Sequence, residues 1–455
     1  MSEALKVGLI SLGCARNRVD SEVMLGLVGE AGFSLTAFPD QADVLIVNTC
    51  GFIAPARAES LEAIRELGRW KREGACRAFL VAGCLAQREG TRLLQRFPEV
   101  DGLLGTADYP RIVEAIRSIL AGDRPRLSDV PGYLFQEAPP RLVTTGPSAY
   151  LKVAEGCPHG CTFCAIPRLR GPLRSRRPVH IMAEARQLVA QGIKELVLVA
   201  QDTTAYGWDL RPPVTLAALL REMASLDGEG WVRVLYGHPR GVSDELLEVL
   251  AGGGTLCRYL DVPFQHAAPG LLRAMGRPDD PEDMLRRVQE WRQAVPGLTL
   301  RSSFITGFPG ETEADFEILL DFIQEAALDH VGVFVYSREA MTPAARLPGR
   351  VPRDLAEERR RRLMAEQRVV SRRKNAAYVG QEIRVLLEAR TGSRLRGRAE
   401  KDAPEVDGVV RVRHGAPLRP GEFARVRVTG AGAYHLDAVP AGPLADVGGQ
   451  EDTPT

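Results

Sequence analysis

A chain of 455 residues is too long for a single core, and its length suggests about three domains. Hydrophobic residues at 45% and charged residues at 26% are those of an ordinary globular protein, which excludes fibrous, low-complexity and wholly disordered classes. The net charge of +1 names no nucleic-acid or acidic partner by itself.

The opening segment Met1-Ser2-Glu3-Ala4-Leu5-Lys6 carries an acid where a signal peptide is basic. No apolar run approaches the roughly 18 residues that span a bilayer, so the expectation is a cytoplasmic protein without membrane contact. In a reducing compartment eight cysteines point to metal binding or reactivity rather than to disulfides.

Lys6 to Ser11 reads as a buried strand, followed by Gly13-Cys14 and a helical stretch from Arg18 to Ala31. Asp43 to Asn48 is a second strand with Cys50 behind it, and Ala78 to Gly83 a third that runs into Cys84. Strand followed by helix, repeated, predicts an N-terminal open parallel α/β sheet. Cys14, Cys50 and Cys84 then occupy one position in the repeat, at the carboxyl edge where such sheets bind ligands. The alternative is that they fill the core, as free cysteines often do. Cys76 and Cys257 fit no such pattern and are expected to be core residues.

Pro125, Pro131, Pro139, Pro140, Gly146 and Pro147 mark residues 124–147 as a linker. A second series follows, with apolar runs at Tyr150–Ala154, Glu195–Ala200, Trp231–Tyr236, Arg258–Val262, Leu298–Thr306 and Val331–Tyr336. Amphipathic stretches lie between them, for example Val179–Ala190, Pro281–Ala294 and Ala314–Ala326, and together they predict a partial (β/α)6 barrel. Directly after the first of these strands comes Glu155-Gly156-Cys157-Pro158-His159-Gly160-Cys161-Thr162-Phe163-Cys164, with thiols spaced C-x3-C-x2-C. Three thiolates can hold an iron–sulfur cubane with one iron left open; with His159 as fourth ligand they could instead form a zinc knuckle. The loop's place on the reactive face of a parallel barrel favours the cluster. Gln201-Asp202, Tyr236-Gly237-His238, Gln265-His266 and the turn Thr306-Gly307-Phe308-Pro309-Gly310-Glu311-Thr312 end the other strands, and glycines in that turn allow close backbone approach to a ligand. His238 and His266 read equally well as acid–base groups and as satisfied core histidines.

From Ala345 to Arg398 sixteen Lys and Arg face six Asp and Glu, so this segment can meet an anionic surface or be a solvated arginine-rich helix. Short segments at Gln381–Leu387, Val409–Val412 and Glu422–Thr429, divided by Gly and Pro turns, predict a small antiparallel β-barrel. Arg394, Arg396 and Arg398 are its candidate phosphate contacts. Residues 441–455 are small, polar and acidic, and disorder is expected there.

The cysteine loop resembles the cluster motif of the radical S-adenosylmethionine (SAM) enzymes, and the order of elements resembles their methylthiotransferase branch over nearly the whole chain. The resemblance implies an N-terminal methylthiotransferase domain (1–123), a radical SAM core (148–377) and a TRAM domain (378–440). It implies two [4Fe-4S] clusters, one on Cys157, Cys161 and Cys164 and an auxiliary one on Cys14, Cys50 and Cys84. One SAM would supply a deoxyadenosyl radical and a second the methyl group. Gln201, Asp202, Gly307, Phe308, Pro309, Gly310, Glu311 and Thr312 would contact SAM, by their place at strand ends and by the resemblance. Cys164-Ala165-Ile166-Pro167 and Ser11-Leu12-Gly13-Cys14-Ala15-Arg16-Asn17 are similar to the members that modify an aspartate of a small-subunit ribosomal protein of the uS12 type, although Arg16 stands where lysine is usual and Pro158-His159-Gly160 is unusual. Glu405 and Asp407, in Ala403-Pro404-Glu405-Val406-Asp407-Gly408, would meet that basic partner; an ordinary turn is the plainer reading. An electron donor is also required. The other readings are a transfer-RNA adenosine methylthiotransferase and a non-catalytic, metal-bearing RNA-binding protein.

Overall fold

The computed structural model describes residues 4–74, 76–125, 137–226, 228–277, 279–392, 394–413 and 418–441. The tail from 442 and the linker residues 126–136, Pro131 included, lie outside the described residues.

The first unit is a five-stranded parallel sheet of order β2-β1-β3-β4-β5, with β1 at Lys6–Ser11, β2 at Ser34–Thr36, β3 at Val44–Thr49, β4 at Ala78–Gly83 and β5 at Gly102–Leu104. Every residue of β3 and β4 is buried, as a parallel strand covered on both faces requires. The helix expected at Arg18–Ala31 spans Ala15–Glu30, beginning directly at Cys14. Strands β2 and β5 are three residues each, too short to show a period.

The second unit carries the six expected parallel strands: β6 Ser148–Lys152, β9 Glu195–Val199, β10 Trp231–Val234, β11 Tyr259–Asp261, β12 Thr299–Thr306 and β13 His330–Val335. A two-stranded antiparallel pair, β7 Ala154–Glu155 and β8 Arg174–Ser175, brackets the cysteine loop. The arc is two sheets, β6-β9-β10 and β11-β12-β13, stitched by backbone bonds from Cys257 N to Val232 O (2.9 Å) and Gly237 N to Asp261 O (2.7 Å). Helices Pro178–Ala190, Pro281–Ala294 and Glu313–Ala326 cover its outside, the last opened by a reciprocal cap between Thr312 and Asp315.

The third unit is a closed barrel of order β14-β15-β16-β18-β17, with β14 at Glu382–Thr391, β15 at Arg394–Ala399, β16 at Val409–Arg413, β17 at Phe423–Ala431 and β18 at His435–Pro440. Its pairings are antiparallel except the β16–β18 seam, which is parallel.

This barrel seals the amino-terminal ends of the core strands. Arg398, expected to face phosphates, is buried: it pairs with Glu195 and donates to Ser148 Oγ (2.8 Å), while Arg233 Nε reaches the same Glu195 at 2.8 Å. Burial raises the Glu195 carboxyl, and the charges of Arg398 and Arg233 more than reverse this, bringing it to about 2. Asp407 is likewise no outward contact. Its carboxylate is buried and accepts from Tyr259 Oη (2.5 Å), Arg301 Nε (3.2 Å) and Ala403 N (2.8 Å), so it fastens the turn to the core instead of presenting a charge to a partner. Glu405 stays half-exposed beside Arg18 of the first unit.

The described end of the linker is also fixed. Arg141 forks onto Glu22 and reaches Glu184 at 2.8 Å, all buried, and Leu142 N donates to Glu22 O at 3.1 Å. One hydrophobic cluster joins Val7 and Met24 to Tyr150, Trp231 and Tyr259 and to Leu386 and Phe423, so all three units share apolar contacts.

Candidate active site

The central loop leaves the β7 strand through Gly156, whose φ is +80° and where a Cβ would lie 1.9 Å from Pro172 O. Only glycine allows that crossing. Backbone bonds from Thr162 N to Met275 O (3.0 Å) and Ala344 N to Thr162 O (2.9 Å) then pin the loop to the end of the helix Pro269–Ala274 and to the short turn Pro343–Arg346. Cys157, Cys161 and Cys164 are free and partly exposed. Burial pushes the Cys157 thiol up to about 11 and Cys164 up to about 12, with the neighbouring thiols adding to both. Such thiols keep their protons at neutral pH until a metal displaces them. Arg277 Nε donates to Cys161 Sγ at 3.4 Å.

The second trio is gathered from three strand ends, as the repeat predicted. Gly13 (φ +92°) brings the Cys14 turn against Cys50, where a Cβ would stand 2.8 Å from Cys50 Cβ and 3.2 Å from its Sγ; a Cβ on Gly51 would stand 2.6 Å from Cys84 O. Burial raises Cys50 to about 11, with Cys84 and Cys14 contributing. Burial acts the same way on Cys14, yet Arg16 and Arg170 overcome it and its thiol lies below the ordinary value. Cys76 and Cys257 are buried core residues, as expected.

A buried charge network lies between the trios, and no sequence motif marks it. Lys152 pairs with Asp20 and with Glu155 (3.0 Å), and Arg170 reaches Asp20 and Glu155, each at 2.8 Å. Lys152 and Glu155 are three residues apart and Arg170 is on the same unit, but only the packing of the first unit on the core brings Asp20 to them. Arg16 Nη1 donates to Ala200 O (2.7 Å) and its guanidinium lies 4.6 Å from the Tyr236 ring centre.

The residues expected to meet SAM divide. Gln201 donates Nε2 to Glu155 and keeps a buried Oε1 without a partner among the described residues. Asp202 is buried, accepting from Thr204 N (2.9 Å) and Oγ1 (2.6 Å) and pairing with His159 Nε2 at 2.5 Å. His159 stacks on His238 with ring centres 4.1 Å apart, which ties it to the barrel wall. Burial lowers His238 to about 3 and His266 to about 4, so both are neutral; His266 is fully enclosed and its Nδ1 accepts from Ala268 N at 2.9 Å. In the glycine turn, Glu311 folds back to accept from Gly307 N (2.5 Å) and Phe308 N (3.1 Å) and pairs with Arg359 (2.9 Å). Phe308 is a core side chain and Thr312 caps the next helix. The side chains of Phe308, Glu311 and Thr312 therefore build the turn; Gly307 and Pro309 are buried, a Cβ on Gly307 would stand 2.4 Å from Ala356 Cβ, and Gly310 is exposed with its N–H bonded to Gly349 O (2.7 Å).

Residues 6–105 match the uncharacterized protein family UPF0004, residues 151–323 the radical SAM superfamily, and residues 379–440 the TRAM domain. The chain is 49% identical over 438 residues to the ribosomal protein uS12 methylthiotransferase RimO of Desulforudis audaxviator (strain MP104C), covering 96% of this chain and 97% of that one. The protein of the same name from Pelotomaculum thermopropionicum is 48% identical, covering 95% and 98%. This chain belongs to the RimO family of methylthiotransferases. It is a transferase of the radical SAM class, and iron–sulfur and SAM cofactors go with that membership. The radical SAM methyltransferase TsrM of Kitasatospora setae superposes with a TM-score of 0.57 at 16% identity over 75% of this chain and 74% of its own. The cobalamin-dependent radical enzyme OxsB does so at 0.52 and 12%, over 75% and 55%. At such identities the likeness is one of fold alone.

Among the described residues of this RimO-family chain, no three His, Cys, Asp or Glu side chains converge as ligands of a single metal ion. A cubane makes a different demand, since its three thiolates bind three separate irons. Free thiols in trios, glycine cradles that a Cβ would fill, and a guanidinium on one sulfur of each trio fit that group. No described helix is long and apolar enough to cross a membrane.

Proposed function

We propose that this protein inserts a methylthio group at the β-carbon of an aspartate side chain in a small-subunit ribosomal protein of the uS12 type. The observation that carries the reading is near-full-length identity to RimO enzymes together with two cysteine trios at the carboxyl ends of two parallel sheets. Cys157, Cys161 and Cys164 would hold one [4Fe-4S] cluster, and Cys14, Cys50 and Cys84 the other. The clusters and SAM, when bound, supply one-electron cleavage of SAM, hydrogen abstraction and the methylthio group.

The chain's own residues provide position and exclusion of water. Gly156 sets the path of the central loop, and the Glu155–Arg170–Asp20 network holds that loop against the first unit. Gln201, with its unsatisfied Oε1, Asp202 and the exposed Gly310 would be the contacts for SAM at these strand ends, with Gly307 and Pro309 shaping the turn beneath. Glu405 remains a candidate contact for a basic ribosomal protein; an electron donor must dock as well.

The test is paired mass spectrometry of ribosomal proteins and of digested transfer RNA from cells with and without the gene. Loss of a methylthio adduct from one small-subunit protein is the expected result. Loss of a methylthio nucleoside instead would move the enzyme to the transfer-RNA substrate and overturn the proposal.

A further inference from the structure

Arg170 is the one side chain of the buried network that touches a thiol. It ends the short helix Ile166–Arg170 that follows the central loop, and it is 2% exposed. Its guanidinium uses all three nitrogens: Nε donates to Cys84 Sγ (3.3 Å), Nη1 to Asp20 Oδ2 and Glu155 Oε2 (2.8 Å each), and Nη2 to Asn17 Oδ1 (3.1 Å). Cys84, Asp20 and Asn17 belong to the first unit, whereas Glu155 immediately precedes Gly156 and Cys157 on the core. A planar fork is needed to satisfy four partners at once; a lysine offers a point charge and no fixed plane. Within the network Arg170 and Lys152 balance Asp20 and Glu155, so no cation is left over to compensate charge on the Cys84 sulfur except through this direct contact. Arg277 makes the comparable contact to Cys161, but its other partner, Pro263 O, lies in the same unit. Arg170 instead joins Cys84 of one trio to Glu155, two residues before Cys157 of the other.

We infer that Arg170 is a positioning residue for the N-terminal cluster: it hydrogen-bonds the Cys84 sulfur, raises that cluster's reduction potential, and locks both trios into one frame through Asp20 and Glu155. The inference rests on the proposal that each trio holds a cluster. Its physical basis is that an N–H and a positive charge at a ligand sulfur favour the reduced, more negative cluster.

The experiment uses full-length, reconstituted protein carrying Cys157→Ala, Cys161→Ala and Cys164→Ala, so that only the N-terminal cluster is observed. Iron, labile sulfide and an EPR-monitored redox titration are measured in this parent, in Arg170→Lys, and in Arg170→Met combined with Asp20→Asn. The last variant keeps the buried charges balanced, with Lys152 against Glu155, so that it folds without the guanidinium; Asp20→Asn alone is its control. Iron is expected to be retained in all, with the potential shifted negative in the Met variant and less so in the Lys variant. An unmoved potential in both, or loss of iron already in Arg170→Lys, overturns the inference. Absence of iron in the parent would instead strike the functional proposal first, and the inference with it.

Discussion

The two ends of the core barrel are built from different materials. At the carboxyl ends of its strands, Gly156 and backbone bonds shape the loop that carries the thiols, and the buried charges beside it, Lys152, Glu155 and Arg170, close onto Asp20 of the first unit. At the amino ends, Glu195, Arg233, Arg301 and Tyr259 lock onto Arg398, Glu400 and Asp407 of the terminal barrel through buried charge and hydrogen bonds. The difference separates chemistry from stability. Substitutions at the upper end should remove activity from a protein that still folds, and those at the lower end should weaken the fold while leaving each folded molecule competent.

The largest effect is expected from Cys157→Ala, Cys161→Ala or Cys164→Ala, each of which should abolish deoxyadenosine formation from SAM with little change in the unfolding midpoint. Full retention in any of them would remove that residue from the ligand set. At the lower end, Arg398→Met leaves Glu195 buried with one cation fewer and should cost about 3 kcal/mol in denaturant unfolding; no loss would mean that the two barrels are not held by this pair.

Acid tests the same joint. The Glu195 carboxyl is depressed from 4.5 to about 2, so its contribution is present above pH 4.5 and is lost as pH falls towards 2, roughly 3 kcal/mol in all. Stability measured across that window should fall less in Glu195→Gln than in the parent. The smallest effects distinguish the two acids of the turn at 403–408. Asp407→Asn should destabilise by about 1–3 kcal/mol because a buried charge-assisted network is weakened, whereas Glu405→Gln, breaking an exposed pair with Arg18, should cost under about 1 kcal/mol. Equal costs would erase the distinction between joint and surface.

Much of the upper end was legible because its signals are local. The spacing of Cys157, Cys161 and Cys164 is written in eight consecutive residues, and the Val- and Leu-rich strands before Cys14, Cys50 and Cys84 fixed their shared edge. The lower end was not legible. Arg394-Leu395-Arg396-Gly397-Arg398 reads as a basic stretch, and alternation puts Arg398 on the same outer face as the exposed Arg394 and Arg396, yet that face docks on the core at Arg398 and buries it against Glu195. Asp407 sits in Pro-x-x-Asp-Gly turn chemistry that looks exposed until the turn docks on Tyr259 and Arg301. Asp20 looks like the polar face of a helix, and its buried partners come from segments more than a hundred residues away. Buried charge is hard to foresee because its cost is offset only by partners that the tertiary fold supplies.

The measurement that bears most directly on the two-site account is made on one variant, Cys14→Ala with Cys50→Ala and Cys84→Ala, assayed for iron, deoxyadenosine and methylthio product. The account predicts about half of the parent's iron, continued SAM cleavage and no methylthio product. Methylthio product from this variant, or loss of SAM cleavage with a folded central unit, would contradict it.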